Sequence, residues 1–172
     1  MKKLVLTVVL AVCALVLVSV ASADTMTFAL SGSGWSASGT FQGNPTAPGT
    51  WLVTGAAGQF NGTAITGACP LGTCNSVFYY NNNYYWPGPP NVDNAGIVVT
   101  LQNGDWLNLC YDVPNCALPG AYAALRIVPN VGTTTFNADT VNFGQPVPEP
   151  GTLALFGTTV LVLAGAVRRR LL

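Results

Sequence analysis

The hydrophobic and polar positions divide the 172-residue chain into three parts. Two long apolar runs, at residues 4–18 and 151–167, lie near the ends. Between them, short runs rich in Thr, Val, Phe and Trp are interrupted about every eight to ten residues by Gly or Asn-Gly. Alternating positions of this kind are typical of β-strands, and evenly spaced turn signals are typical of hairpins in a sandwich or barrel.

The central part contains eight candidate strands and no convincing helical period. Asn61-Gly62 and Asn103-Gly104 are expected to form tight turns, because both residue types tolerate a positive φ. We therefore predict an all-β fold, with a single antiparallel β-sandwich or barrel-like domain over residues 24–146, flanked by an N-terminal signal helix and a C-terminal transmembrane helix. The strand candidates are TMTFALSGS, WSASGTFQG, GTWLVTGA, GQFNGTAITG, the two arms of AGIVVTLQNGDWLNLCYD, AYAALRIVP and TTTFNADTVNF.

The N-terminal part has the pattern of a cleaved secretory signal peptide. "MKK" supplies a basic start, residues 4–18 supply an apolar centre, and "ASA" supplies small residues. Ala21 and Ala23 fit the requirement of signal peptidase for small side chains, so we predict a signal peptide at 1–23 with cleavage after Ala23. The alternative is a helix that stays uncleaved as a membrane anchor.

The C-terminal part, residues 147–172, is ordered as an extended motif, an apolar helix and a basic stop. Prolines at 148 and 150 hold residues 147–150 in extended backbone that a protease can read. Residues 151–167 carry no charge, and as a helix they would span roughly 26 Å, the short end of what crosses a bilayer. The three arginines that follow this run are expected to stay in the cytoplasm, which leaves the domain outside. A buried core helix is the alternative. The motif residues are Pro148, Glu149 and Pro150, and the stop residues are Arg168, Arg169 and Arg170.

"VPEPGT", followed by an apolar run and "RRR", resembles the PEP-CTERM sorting signal of Gram-negative bacteria, which is also labelled an ice-binding protein C-terminal domain. The resemblance implies processing by exosortase, a membrane-embedded cysteine protease-transferase, after transit through the inner membrane. It implies a protein of the cell surface or extracellular matrix in a bacterium that makes extracellular polysaccharide. The central part is similar to small exported β-proteins without an assigned activity, through GTWLVTGAAGQFNGTAITG and NVDNAGIVVTLQNGDWLNLCYD.

Four cysteines remain after signal cleavage, in two closely spaced pairs: Cys69 with Cys74, and Cys110 with Cys116. An even number of cysteines in an exported domain favours disulfides, and the short spacing favours bridges within each pair. Cross-pairing is the alternative, because four cysteines allow three connectivities. Zinc is the rival interpretation, and the oxidising compartment argues against it.

The charged residues of the central part limit its chemistry. Arg126 stands alone against five aspartates, so the domain is modestly acidic, at about −4 by count, and nucleic acid is not expected as a partner. There is no histidine, which excludes a Ser-His triad. We expect no enzyme, no catalytic residue and no cofactor. The alternative is a polysaccharide-acting enzyme with two carboxylates from Asp93, Asp105 or Asp112, although Asp105 and Asp112 are interpreted as loop residues.

An aromatic segment is the candidate binding surface. In "YYNNNYYW" aromatic rings surround three asparagines, and extracellular polysaccharide is a candidate ligand, because rings stack on sugars while amides pair with hydroxyls. The interpretation that we favour is a tyrosine-rich hairpin whose rings cover the core. The candidate glycan contacts are Tyr79, Tyr80, Tyr84, Tyr85 and Trp86.

The loop that follows this segment offers oxygen atoms for calcium. Asp93 lies between Asn91 and Asn94. Calcium binds six to eight oxygens, usually with several carboxylates, and this loop has only one. We therefore interpret it as a turn stabilised by the Asp side chain and predict no metal site.

Overall fold

The computed structural model describes residues 23–71, 73–74, 81–112, 116, 118–129 and 131–147. They belong to one compact unit, Ala23–Val147. The predicted signal helix, the PEP-CTERM segment from residue 148 onward and the predicted transmembrane helix lie outside the described residues. Within the described ranges, no helix is long and apolar enough to cross a membrane.

The described part of the chain folds into ten strands and contains no helix. The prediction of an all-β domain is therefore confirmed for these residues. The strands are β1 (Asp24–Gly32), β2 (Trp35–Ala47), β3 (Thr50–Phe60), β4 (Thr63–Ala68), β5 (Tyr84–Tyr85), β6 (Ile97–Leu101), β7 (Trp106–Tyr111), β8 (Tyr122–Val128), β9 (Gly132–Asn137) and β10 (Thr140–Phe143).

All ten strands belong to one antiparallel sheet that curls into a half-barrel. Its order is β10-β1-β2-β3-β4-β6-β7-β8-β9, and the short β5 pairs with β3 beside this path. Strands β9 and β10 are consecutive in the chain but lie at opposite ends of the sheet. Between them, the N–H of Ala138 donates to the carbonyl of Tyr122 and the N–H of Asp139 donates to Ser31. The bend at these two residues therefore carries the chain from β9, which is paired with β8, to β10, which is paired with β1.

Strand β3 is longer than the sequence pattern predicted. The glycines between "GTWLVTGA" and "GQF" indicated a break, but the strand is continuous from Thr50 to Phe60. Gly58 lies opposite Gly39 of β2, and a Cβ on either one would collide with a backbone carbonyl of the other strand. Glycine at these two positions lets the two backbones approach closely, so it is a packing requirement within the strand and not a turn.

The two predicted Asn-Gly turns differ in the structure. Asn61 and Gly62 have φ values of 47° and 78° and join β3 to β4 directly, as a type I′ turn requires. Between β6 and β7 only Gly104 has a positive φ, at 87°. That connection is a four-residue loop, and Asp105 at its end is 5% exposed.

The main core lies on the inner face of the curl. In β1 buried and exposed positions alternate, so Met26, Phe28 and Leu30 face inward. The ring of Phe28 stacks on Phe41 of β2 with centroids 4.3 Å apart. Burying side chains of this size contributes roughly 1.5–3 kcal/mol each. The alternating pattern of β1 is thus sufficient to set which face of the sheet is the inside.

The outer face of strands β6, β7 and β8 is buried as well. Val98 packs with Cys69 and Cys74, and Leu125 packs with Cys110 and Cys116. These small clusters place both cysteine pairs against the outside of the sheet. Covering both faces explains why β6 reads as a continuous apolar run, IVVTL, and not as an alternating one.

Candidate functional site

The candidate aromatic surface is centred on β5, which pairs with the start of β3. Trp51 lies opposite Tyr85, and Leu52 lies opposite Tyr84. Successive side chains of a strand point to opposite faces. Tyr84 and Trp86 are accordingly half-buried, with ring centroids 5.9 Å apart, while Tyr85 between them is fully buried. Two of the five predicted glycan contacts therefore form an adjacent pair of accessible rings.

Tyr85 is a correction to the predicted glycan-contact set. Its ring has no exposed surface and packs 6.0 Å from the ring of Phe143 in β10. Its hydroxyl donates to the carbonyl of Gly144 at 2.7 Å. Tyr85 therefore ties β5 to the end of β10 and cannot stack on a sugar. Tyr79 and Tyr80 lie outside the described residues.

The asparagines before β5 hold the backbone of this segment. Asn83, with φ at 53°, donates from Nδ2 to the carbonyl of Cys69 at 2.7 Å and accepts the N–H of Val98 at 3.1 Å. Its backbone carbonyl accepts the N–H of Val53 at 2.8 Å. Its side chain is 1% exposed. The sequence pattern suggested that this amide would face sugar hydroxyls, but the structure uses it to join three parts of the sheet.

A second amide, on the half-buried Asn91, positions the far side of the aromatic surface. Asn91 Nδ2 donates to the carbonyl of Trp86 at 2.9 Å, and the Trp86 N–H donates to the carbonyl of Asn91 at 3.0 Å. Asn91 Nδ2 also lies 3.5 Å from the hydroxyl of Tyr85. No local sequence pattern indicates this role, because the partners of Asn91 are set by the conformation of the loop.

The hydroxyls of the buried Tyr85 and the half-buried Tyr122 both contact Asn91. Tyr122 accepts the backbone N–H of Asn91 at 2.9 Å. Burial raises the pKa of both phenols above the usual 10.0, and the hydrogen bonds from Asn91 offset part of that rise. Both side chains are therefore neutral donors at physiological pH, which suits a structural role.

A shallow apolar groove of about 280 Å³ adjoins the aromatic pair along β3. Leu52, which lies opposite Tyr84 in the sheet, forms one wall, and Pro70 and Leu71 of the first disulfide loop form another. Leu71 is 49% exposed. The groove and the two rings together give this side of the sheet an apolar surface with few charged groups among the described residues.

Both cysteine pairs lie at disulfide distance in the local arrangement. The Cα atoms of Cys69 and Cys74 are 6.2 Å apart, and those of Cys110 and Cys116 are 5.8 Å apart. All four side chains are buried. The first bridge borders the groove through Cys69 and Pro70. It therefore fixes the wall of the groove to β4 and β6.

The three candidate carboxylates lie in separate hydrogen-bonding environments. Asp93 Oδ1 accepts the N–H groups of Ala95 and Gly96, both at 3.0 Å, which is the turn chemistry expected for it. Its Oδ2 accepts from Asn82 at 2.5 Å. Asp112 accepts the N–H of Gly120 at 3.0 Å. No group of three His, Cys, Asp or Glu side chains that could hold a metal occurs in the described ranges.

Asp105 differs from its interpretation as a simple turn residue. Its Oδ2 accepts from Arg126 Nε at 2.7 Å and from Asn103 Nδ2 at 2.8 Å, and Arg126 Nη2 lies at 2.5 Å. The domain's single basic side chain is thus paired with a buried aspartate across β7 and β8. Local sequence could not predict this ion pair, because residues 105 and 126 are far apart in the chain.

The predicted sorting residues lie at the boundary of the described chain. Ala23 directly precedes β1, whereas Ala21, the Pro148–Pro150 motif and the three arginines lie outside the described residues. Val147, just before the motif, is described. It forms a two-bond bridge with Thr25, at 2.9 Å and 2.8 Å. The fold therefore fixes the backbone immediately before the motif to the first strand.

Comparison with known families identifies one segment. Residues 146–170 match the PEP-CTERM protein-sorting motif. No curated protein and no solved structure matches the chain. The resemblance of the central part to small exported β-proteins therefore stays a prediction. The predicted tail is confirmed: the chain carries a PEP-CTERM protein-sorting motif at residues 146–170, which implies C-terminal sorting of an exported protein and exosortase as its processing enzyme.

Proposed function

We propose that this protein is a non-catalytic surface or matrix component that exosortase delivers to the outside of a bacterial cell, where its β domain binds extracellular polysaccharide. The PEP-CTERM motif at residues 146–170 carries the delivery part of this proposal. In this account signal peptidase removes residues 1–23, residues 151–167 hold the chain in the inner membrane, and cleavage near Pro148–Pro150 frees it. The final location is the cell surface or extracellular matrix.

The proposed polysaccharide contact is the pair of rings on β5. Tyr84 and Trp86 lie on one face and are both accessible, and the apolar groove beside Leu52 extends that face. Aromatic side chains with a polar tip suit a ligand that has apolar faces and hydroxyl edges. The rings are fixed from behind by the buried Tyr85 and by Asn91, so little side-chain entropy is lost when a sugar stacks on them.

The delivery part is tested by intact-mass measurement on membrane and extracellular fractions of the producing cells. Wild type is expected outside the cell with a mass that begins at Asp24 and ends near Pro150. Glu149→Ala is expected to accumulate in membranes, while Gln145→Ala, one residue before the matched segment, is processed normally. A wild-type mass that runs through Leu172 and occurs only in membranes would instead establish a permanently anchored periplasmic domain.

The binding part is tested by retention of the exported protein on labelled extracellular polysaccharide from the same cells. We expect Tyr84→Ala and Trp86→Ala each to weaken retention about tenfold, equivalent to about 1.4 kcal/mol. The matched control is Val131→Ala, which trims an 81% exposed apolar side chain in the turn between β8 and β9. This variant should bind normally. Equal retention of all variants would refute the proposed surface, and release of labelled fragments would support the alternative, an enzyme.

A further inference from the structure

The outer edge of β9 is an open strand edge. Within the part of the chain that the structure describes, β9 ends the sheet and pairs only with β8, with Thr134 opposite Arg126 and Phe136 opposite Ala124. The N–H of Ala138 donates to Tyr122 of β8. Because antiparallel backbone groups alternate in direction, residues 134 and 136 also face β8, and residues 133 and 135 face away.

One outward group of β9 has a partner inside the domain. The carbonyl of Asn137 accepts the indole N–H of Trp35 at 2.9 Å. Among the described residues, no strand covers the outward N–H and C=O groups of Thr133 and Thr135. Both threonines are exposed residues, so a second strand can approach this edge.

The edge lacks the features that usually prevent strand pairing. The sequence of β9, GTTTFN, contains no charge and no proline, and its threonines favour extended backbone. Val131, at the turn before it, is 81% exposed. Among the described residues, β9 is therefore an uncharged strand edge without these protective features.

We propose that this edge pairs with the β9 edge of a second copy of this chain. The open groups require an extended, uncharged strand, and β9 itself meets that description. In an antiparallel two-fold arrangement Thr133 would face Thr135 of the second copy, which forms about four backbone hydrogen bonds. Thr134 would face Thr134 of the second copy across the two-fold axis, and threonine pairs are favourable across strands. Such an interface uses the same patch on both molecules, so it closes as a dimer and does not extend into a fibre.

The test measures the mass of the exported protein by sedimentation over increasing concentration. Wild type is expected to shift from monomer to dimer. Thr135→Lys places like charges at the two-fold interface and should raise the dimer Kd at least about tenfold. Gln59→Lys adds the same charge at an exposed position of β3, a strand paired on both sides over this region, and should leave the Kd unchanged.

Amide hydrogen exchange gives a second readout that does not depend on a variant. The amides of Thr133 and Thr135 should become protected as the dimer forms, whereas those of Thr134 and Phe136, already bonded to β8, should be protected throughout. A protein that stays monomeric at every concentration overturns the proposal. So does a dimer that Thr135→Lys leaves intact, or one in which the amides of Thr133 and Thr135 still exchange rapidly.

Discussion

The pairing of Asp105 with Arg126 provides the sharpest stability test of the fold. Asp105 has 7% of its side chain exposed and Arg126 has 39%. The substitution Arg126→Met keeps most of the apolar stem and removes the guanidinium. Among the described residues, the carboxylate of Asp105 then keeps only the hydrogen bond from Asn103 at 2.8 Å. The variant therefore leaves a nearly buried carboxylate without its counter-charge.

The expected loss follows from the exposure of the two partners. Removing one member of a fully buried pair costs about 3–5 kcal/mol, whereas exposed pairs are worth about 0–1 kcal/mol. Because one end of this pair is buried and the other is two-fifths exposed, we expect a loss of about 2 kcal/mol in the free energy of unfolding. For a domain of this size, that lowers Tm by roughly 6–12 °C.

Urea unfolding of the oxidised protein measures this loss, with Arg126→Met, Asp105→Asn and the double variant forming a cycle. The double variant should be less destabilised than the sum of the two single ones, because the second change removes the unpaired charge. Asp139→Asn makes the same change at an exposed aspartate and should stay within about 0.5 kcal/mol of wild type. If Arg126→Met also stays within that range, the pair is a surface contact and the reasoning is wrong.

Three further predictions concern backbone and phenol positions. The pKa values of Tyr85 and Tyr122 are raised, so the folded state binds these phenol protons more tightly than the unfolded state does. Their contribution to the free energy of unfolding is full below pH 10 and falls as pH rises further. Tyr85→Phe should flatten this fall in urea unfolding measured over pH. Gly58→Ala should cost about 2–4 kcal/mol by thermal unfolding, because its Cβ would collide with the carbonyl of Ser38. A Cβ on Gly67 of β4 would meet only Thr100 Oγ1, at an ordinary 3.7 Å, so Gly67→Ala should cost less than half of that. Asn83→Ala should cost about 2–3 kcal/mol in the same assay, because it strands the N–H of Val98 and the carbonyl of Cys69; an unchanged Tm would contradict its assigned role.

Local sequence was sufficient to predict the class of fold and the tail. Alternating positions such as those of β1, together with the Asn61-Gly62 turn, specify strands and hairpins through interactions between near neighbours in the chain. The PEP-CTERM tail is read directly from residue order, because it must be recognised as an extended segment. The close spacing of each cysteine pair likewise predicted the pairs that the structure brings to disulfide distance.

The roles of residues 83, 85 and 105 were decided only by the tertiary structure. Nothing near Tyr85 in the sequence distinguishes it from Tyr84; it is buried because β5 pairs with β3 and directs alternate side chains toward β10. Asp105 has its arginine on another strand, and Asn83 bonds to groups far along the chain. Sequence patterns report contacts between neighbouring residues, whereas burial and charge pairing depend on which strands the curl of the sheet brings together.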